Sequence, residues 1–375
     1  MNQYDLIKIL RKLVQFPTVN PPGKTKEIID YLISEVFMES KGFFNEVIPY
    51  HKKDTELHNL VSKIGIGPQK IIFSGHFDVV PAGDLNLWRF PPFSAEIMDG
   101  KLFGRGACDM KAGIVMLIGT IMKLLEYPKF LKKYTLVFIG SADEEAGMTG
   151  AYTCTRKGVM KDAILLIVGE PTNMKIGIAE KGLLWLDLEI EGKAAHASTP
   201  HSGLNSIEGA LNLIPKLYKC IEDKENPVLG RSTLNIGTIQ GGIAHNIVPE
   251  KTLMSIDYRL VPEQDPKLLI NNLRNIDLAP YNLKTKVTHT LPAIQTDIIH
   301  PFLQNLKKLT NTEFIGLPYA TDIGVLIQPK NPIPFLIYGP GDPEVVHKEN
   351  EHIVLEDIFK SIDLLTKTLL KTYLL

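Results

Sequence analysis

The chain has 375 residues, a length that corresponds to roughly two to three domains and allows a large buried core. Its composition is that of an ordinary globular protein, with 44% hydrophobic residues, 22% charged residues and a net charge of -1. This balance argues against nucleic acid or an anionic membrane as a partner, because both attract clustered Lys and Arg side chains.

The cysteines and the N-terminal segment bear on the cellular compartment. Cys108, Cys154 and Cys220 are widely spaced and form no CxxC pair, which argues against a disulfide scaffold or a cysteine-based zinc site. Residues 1–16 mix charged with apolar residues, unlike a signal peptide, and no apolar stretch approaches the length of a membrane span. We therefore expect a cytoplasmic protein.

The first half of the chain has the pattern of an α/β domain. Apolar residues recur at helical spacing in residues 4–15, 26–40 and 112–126. Short apolar runs typical of strands that are buried on both faces occur at 71–73, 136–139 and 164–168. Such strands predict a parallel sheet covered by helices.

The pattern changes after Gly182. Residues 184–190 and 254–258 alternate apolar with polar side chains, which is typical of an antiparallel sheet with one face in water. Helical patterns occur at about 205–221 and 266–275. Buried-strand character then returns at 334–338, before a helix near 355–371.

These patterns together predict the domain organisation. The fold class is α/β, with a larger, largely parallel-sheet domain built from residues 1–181 and 292–375. Residues 182–291 are predicted to form an inserted α+β domain.

Polar residues of the kind that bind metals follow each buried strand of the first domain. His76 and Asp78 follow the first strand, Asp143-Glu144-Glu145 the second, and Glu170 the third. Because ligands bind at the carboxyl ends of the strands of open α/β sheets, these side chains should converge. Several converging carboxylates repel one another unless cations lie among them, so the pattern predicts a metal site.

Each of these residues also has a structural explanation when taken alone. His76 could be a surface or hydrogen-bonded core histidine, and Asp109 could cap the helix at 112–126. Glu144 and Glu145 could be a solvated pair, and Glu170 could simply end a strand. The metal site explains all five at once.

Five segments resemble the zinc aminoacylase and desuccinylase family of metallopeptidases, which includes acetylornithine deacetylase, succinyl-diaminopimelate desuccinylase and glutamate carboxypeptidase. The matching segments are Ile-Ile-Phe-Ser-Gly-His76-Phe-Asp78, Gly106-Ala-Cys-Asp109-Met-Lys111, Asp143-Glu144-Glu145, Gly169-Glu170-Pro171-Thr172 and His347-Lys-Glu-Asn350-Glu351. The match as a whole spans the chain from about residue 58 to residue 357, in the family's order.

The resemblance implies two zinc ions, for which cobalt can substitute, and a role for each matching residue. One ion would be bound by His76 and Glu170 and the other by Glu145 and His347, with Asp109 bridging both. Asp78 would accept the second ring N–H of His76, and Glu144 would be the general base.

In the inserted domain the resemblance singles out three residues and implies a lid that also forms a homodimer. His196 would reach the partner subunit's active site and stabilise the oxyanion, Asn246 would assist it, and Arg259 would bind the substrate carboxylate. Judged without the resemblance, these residues are a polar loop residue, a turn former and a surface arginine on a strand.

The implied activity is hydrolysis of a linear amide C–N bond: removal of the acyl group from an N-acyl amino acid, as in amino-acid biosynthesis. A metallo-exopeptidase or dipeptidase with the same site is the alternative, and a non-catalytic binding protein would be expected to lack ligands that this chain retains. Leu183 and Leu184 stand where desuccinylases carry an arginine for the succinyl carboxylate. We therefore expect no strong preference for N-succinyl substrates.

Overall fold

A computed structural model describes residues 1–38, 40, 42–327 and 332–374. The chain forms two compact units. The first comprises Met1–Ile178, Thr296–Ile315 and Thr321–Leu375, and the second comprises Ala179–Gln295 and Gly316–Ala320.

The described residues form ten α-helices and eighteen β-strands. The α-helices are α1 Gln3–Gln15, α2 Lys26–Tyr31, α3 Ala112–Leu124, α4 Pro128–Lys133, α5 Thr149–Arg156, α6 Ser206–Lys219, α7 Pro266–Arg274, α8 Pro301–Thr310, α9 Ile323–Leu326 and α10 Leu355–Tyr373. The strands are β1 Phe44–Lys52, β2 Thr55–Ile64, β3 Gln69–His76, β4 Glu96–Met98, β5 Lys101–Phe103, β6 Tyr134–Ser141, β7 Ala163–Val168, β8 Ile176–Glu180, β9 Gly182–Glu191, β10 Glu225–Asn226, β11 Gly230–Arg231, β12 Thr233–Gly241, β13 Lys251–Leu260, β14 Asn282–Leu291, β15 Ile294–Gln295, β16 Phe314–Leu317, β17 Phe335–Ile337 and β18 His352–Val354.

The first unit is built on a mixed sheet whose centre is parallel. Its strands run in the order β1-β2-β6-β3-β7-β17, and β3 pairs in parallel with both β6 and β7, as β17 does with β7. The apolar side chains of these central strands are buried, and α3 is buried along almost its whole length. The predicted α/β fold with a largely parallel sheet is confirmed.

Parallel pairing brings the carboxyl ends of β3, β6 and β7 to the same edge of the sheet. Close packing at this edge depends on two glycines. A Cβ atom on Gly113 of α3 would lie 1.8 Å from the carbonyl oxygen of Gly169, so only glycine allows this contact. Gly169 is followed directly by Glu170, and the contact therefore fixes the backbone from which that carboxylate projects.

The second unit contains a four-stranded antiparallel sheet in the order β12-β13-β9-β14. Side chains alternate between buried and exposed along β13 and β9, as their sequence pattern predicts. The buried face packs with α6 and α7 into a core that includes Leu186, Ile190 and Ile256. The opposite face carries ion pairs such as that between Lys251 and Glu189.

Three features differ from the pattern-based expectations. The helix expected at 26–40 is α2 followed by a π-helical segment, Leu32–Phe37, within the described residues. The hairpin β1–β2 and the edge strands β12 and β14 were not predicted. Strands β1, β12 and β14 are mostly half-buried or exposed and rich in polar residues, and the mostly buried β2 has the polar residues Asn59 and Ser62 within its apolar run. Among the described residues, no helix is both long enough and apolar enough to cross a membrane.

Candidate active site

The carboxylate of Asp109 lies between two histidines at the carboxyl edge of the parallel sheet. Its Oδ1 is 3.2 Å from His76 Nε2, and its Oδ2 is 3.3 Å from His347 Nε2. His76 is the last residue of β3 and is buried, whereas the side chain of His347 is half exposed. Each oxygen of one carboxylate therefore faces a different imidazole, which is the arrangement of a bridging ligand.

Two glutamates complete the cluster. Glu170, just after β7, places Oε1 3.7 Å from His76 Nε2, and Glu145, after β6, places Oε1 3.1 Å from His347 Nε2. His76, Asp109 and Glu145 each offer a ligand atom within 4.8 Å of the others. The five residues expected from the sequence to be ligands thus lie together in the first unit.

Asp78 differs from its expected role. The carbonyl oxygen of Asp78 lies 2.8 Å from His76 Nδ1, whereas the closer carboxylate oxygen is 3.8 Å away. The carboxylate instead accepts hydrogen bonds from the backbone N–H groups of Glu144 and Glu145, both at 3.2 Å. Since three N–H donors, including Asn20 Nδ2, occupy this buried carboxylate, the backbone carbonyl is the group that orients the His76 ring.

Arg105 and Glu351 support the ligand loops, and sequence reasoning missed them. The fully buried Glu351 accepts hydrogen bonds from the backbone N–H groups of Cys108 and Asp109 at 2.9 and 3.0 Å. Its other oxygen accepts from Arg105 Nη1 at 2.6 Å, and Arg105 Nη2 lies 3.4 Å from the carbonyl oxygen of His347. Arg105 directly precedes one of the segments that resemble the family, and Glu351 is the last residue of another. This position was the only feature of the sequence that could have indicated their role.

The electrostatics of the cluster call for positive charge. Burial lowers the pKa of His76, but its hydrogen bond to Asp109 and the nearby Glu170 outweigh burial, so the net shift is well upward. Hydrogen bonds to Asp109 and Glu145 raise the pKa of His347 to about 10. Burial raises the pKa of Glu144 and of Glu170 well above the ordinary value. Positive charge at the two imidazoles therefore stabilises the cluster of carboxylates.

The donor set fits borderline-hard divalent ions. It consists of imidazole nitrogens and carboxylate oxygens, the mixture that binds catalytic zinc or cobalt. The nearby Cys108 is not part of it, because its thiol lies 3.5 Å from the carbonyl oxygen of Asp342 and burial raises the pKa of that thiol strongly.

In the second unit the structure places His196 and Asn246 side by side. Both side chains are exposed, and the backbone N–H of Ala197 donates to the carbonyl oxygen of Asn246 at 3.0 Å. The Nδ1 atom of His196 lies 2.7 Å from Ser198 Oγ and accepts a hydrogen bond from the backbone N–H of Ser198 at 3.2 Å. Arg259 lies on β13 and pairs with Asp257 two residues earlier, at 3.0 Å.

The two leucines at the position of the desuccinylase arginine are buried. Leu184 has no exposed surface and belongs to the core of the second unit, and Leu183 is 4% exposed. The ammonium group of Lys181 donates to the carbonyl oxygen of Arg231. Neither leucine can supply a positive charge to a succinyl carboxylate, and the expectation of no strong N-succinyl preference stays a prediction.

A carboxylate that lies between two histidines at the carboxyl edge of a parallel sheet is the arrangement expected of a metal-dependent hydrolase. The sequence profile of peptidase family M20/M25/M40 matches residues 72–371, and the chain belongs to this family.

Individual proteins are similar to this chain in sequence or in fold over nearly its whole length. A Staphylococcus epidermidis protein named "Probable succinyl-diaminopimelate desuccinylase" is 28% identical over 414 residues, which cover 100% of this chain and 99% of that protein. The M20 metallo-carboxypeptidase Sso-CP2 of Sulfolobus solfataricus has a similar fold, with a TM-score of 0.75, 21% identity and coverage of 99% and 98%. Bacillus subtilis YXEP, a dinuclear metal-binding M20 peptidase, gives a TM-score of 0.69 at 18% identity, with 99% of both chains covered.

Proposed function

We propose that this protein is a di-zinc amidohydrolase that removes the acyl group from an N-acyl amino acid. The observation that carries the proposal is the carboxylate of Asp109, whose two oxygens lie 3.2 and 3.3 Å from His76 and His347. One carboxylate between two imidazoles is suited to holding two cations close together. The dinuclear site named for the B. subtilis relative supports the same count.

Each ion would have its own set of ligands. His76 and Glu170 would hold one ion, Glu145 and His347 would hold the other, and Asp109 would bridge them. Three ligand carboxylates neutralise three of the four positive charges of two divalent ions. When bound, the ions polarise the scissile carbonyl and make water a stronger acid. Cobalt would occupy the same nitrogen and oxygen donors.

Glu144 would act as the general base. Its backbone is fixed by the carboxylate of Asp78, and burial raises the pKa of its carboxyl group, which favours its holding a proton taken from water. Glu144 would then pass that proton to the amine that leaves. Asp78 would hold the 143–145 segment in place rather than touch the reacting atoms.

Residues 182–291 would form a lid and dimerisation domain in a homodimer. In support, β12 is an edge strand with exposed backbone and an exposed Ile239, which offers a surface for a second copy. A ring N–H of His196 would donate to the oxyanion in the partner's site, and Asn246 would assist it. Arg259 would leave Asp257 to bind the substrate carboxylate.

The substrate class follows from the relatives. N-succinyl-diaminopimelate is the first candidate because the S. epidermidis relative, named for this substrate, matches over the full length. The enzyme would then serve amino-acid biosynthesis in the cytoplasm. An exopeptidase or dipeptidase is the second candidate, since the carboxypeptidase Sso-CP2 has the same fold and amide hydrolysis needs the same groups.

A substrate screen tests the proposal. Zinc-loaded protein is assayed for amine release from N-succinyl-diaminopimelate, from N-acetyl amino acids and from dipeptides. We expect hydrolysis of an N-acyl amino acid, about two zinc ions per chain by metal analysis, and a lower count for His347→Ala. Hydrolysis of dipeptides alone would establish the second candidate, and zinc binding without any hydrolysis would refute both.

A matched pair of variants tests the division of roles between neighbouring glutamates. Glu144→Gln should retain both metals but lose about a hundredfold or more in rate, because an amide cannot accept the proton. Glu145→Gln should lower the metal content instead. If Glu144→Gln lost metal and Glu145→Gln did not, the two assignments would have to be exchanged.

A further inference from the structure

Strand β1 contacts the 142–146 loop from outside at two points. Tyr50 donates from its hydroxyl group to the carbonyl oxygen of Ala142 at 3.1 Å. Lys52 donates from Nζ to the carbonyl oxygen of Ala146 at 3.1 Å and forms an ion pair with Asp143. Tyr50 and Lys52 are two residues apart, so they project from the same face of the strand. Their contacts with the loop therefore lie on both sides of Glu144 and Glu145.

These contacts continue inward to the backbone of the proposed base. Asn20 Nδ2 donates to Asp143 Oδ1 at 3.0 Å and to Asp78 Oδ2 at 2.8 Å. The carboxylate of Asp78 in turn accepts from the backbone N–H groups of Glu144 and Glu145. A continuous set of hydrogen bonds thus joins Lys52 on the edge of the sheet to the peptide groups that carry the two glutamates.

Asp143 needs this support for two reasons. Its carboxylate is fully buried, and a buried carboxylate without a cation is costly. Its φ of 70° is in the left-handed region, which residues with a Cβ atom adopt at some cost. Lys52 is the cation that pairs with Asp143, and its side chain is about one-third exposed, at the end of the set of hydrogen bonds.

We propose that Lys52 is a positioning residue for hydrolysis, which holds the Asp143 side chain and the Ala146 carbonyl in place and thereby fixes the 142–146 loop and the direction of Glu144. The proposal rests on the role of Glu144 as base. Without Lys52, the carboxylate of Asp143 would keep only its hydrogen bond from the side-chain amide of Asn20, and the carbonyl group of Ala146 would lose its hydrogen bond from Nζ. The 142–146 loop could then move. A displacement of about 1 Å at a reacting group costs on the order of a hundredfold in rate.

The test compares Lys52→Gln with Lys53→Gln. Both variants remove one positive charge from the same hairpin, but Lys53 is exposed and, among the described residues, forms no hydrogen bond or ion pair with the loop. For Lys52→Gln we expect kcat to fall roughly tenfold to a hundredfold while KM changes by less than about threefold. Hydrogen–deuterium exchange of the 142–148 segment of the metal-free protein should rise, and the zinc content should stay as in the wild type. Lys53→Gln should match the wild type in every readout.

Two further variants separate positioning from a general effect on stability. Lys52→Arg, which retains the charge, should recover most of kcat and of the exchange protection. Tyr50→Phe removes one hydroxyl bond to the loop and should raise exchange in the same segment. Wild-type kcat and exchange in Lys52→Gln, or an equal loss in Lys53→Gln, would overturn the proposal. Should the wild type hydrolyse nothing, the base assignment fails, whereas the exchange measurement still reports whether Lys52 holds the loop.

Discussion

Replacement of Glu351 tests whether the ligand loops depend on a buried ion pair. The carboxylate accepts two backbone N–H bonds with one oxygen and an Arg105 N–H with the other. In Glu351→Gln the amide keeps the shape but offers one acceptor oxygen, so its NH₂ group must face either the backbone donors or the guanidinium. Breaking one side of a buried ion pair costs about 3–5 kcal/mol.

We expect Glu351→Gln to lower the free energy of unfolding by about 3 kcal/mol in urea titrations of the metal-free protein. Zinc affinity should fall about tenfold to a hundredfold, because Glu351 fixes the backbone of Asp109 and Arg105 contacts the loop of His347. Glu349→Gln, in an exposed position of the same loop, is the matched control. If the two variants unfolded within about 0.5 kcal/mol of each other, the buried pair would not stabilise the site.

Three further measurements address protons and subunits. Because the pKa of His347 is raised to about 10, zinc binding at pH 7.5 should release a proton from it, and calorimetric enthalpies should vary with the ionisation enthalpy of the buffer. Burial raises the pKa of Asp322 from 3.8 to about 7, so its contribution to stability is present at low pH and lost as pH rises through 7. The side chain in Asp322→Asn can still accept the hydrogen bond from the Ser141 hydroxyl group. In the presence of EDTA, this variant should therefore melt at a higher temperature than the wild type at pH 8, and the difference should vanish near pH 4. Finally, His196→Ala and Glu144→Gln should each be nearly inactive, and mixing them should restore activity if His196 serves the partner's site; exchanged but inactive mixtures would refute that role.

The central sheet and the cluster could be predicted because both depend on local patterns. Strands buried on both faces leave uninterrupted apolar runs, and parallel pairing brings the residues that follow them to one edge. His76 is the last residue of β3, and Glu145 and Glu170 follow the ends of β6 and β7 within four residues. His347 follows β17 at a longer distance, and only the family resemblance indicated it.

The supporting residues could not be predicted, because their roles depend on contacts between distant parts of the chain. The Lys52–Asp143 pair spans 91 positions, and the Arg105–Glu351 pair spans 246. Alone, Lys52 is one of many lysines on polar strands. By contrast, the burial of Leu184 in the core of the second unit follows from the alternation of β9 alone.

These contacts have a common consequence for metal binding. Asp109, Glu144 and Glu145 are all held by backbone N–H groups that donate to a buried carboxylate, either Glu351 or Asp78. Such bonds form on folding and do not require an ion. The proposed ligands would therefore be arranged before metal binds, so that binding would require displacement of protons more than reorganisation of the chain. Substitution of the supporting carboxylates, Glu351 or Asp78, should therefore lower the affinity for metal strongly. Substitution of exposed neighbouring residues should lower it only slightly.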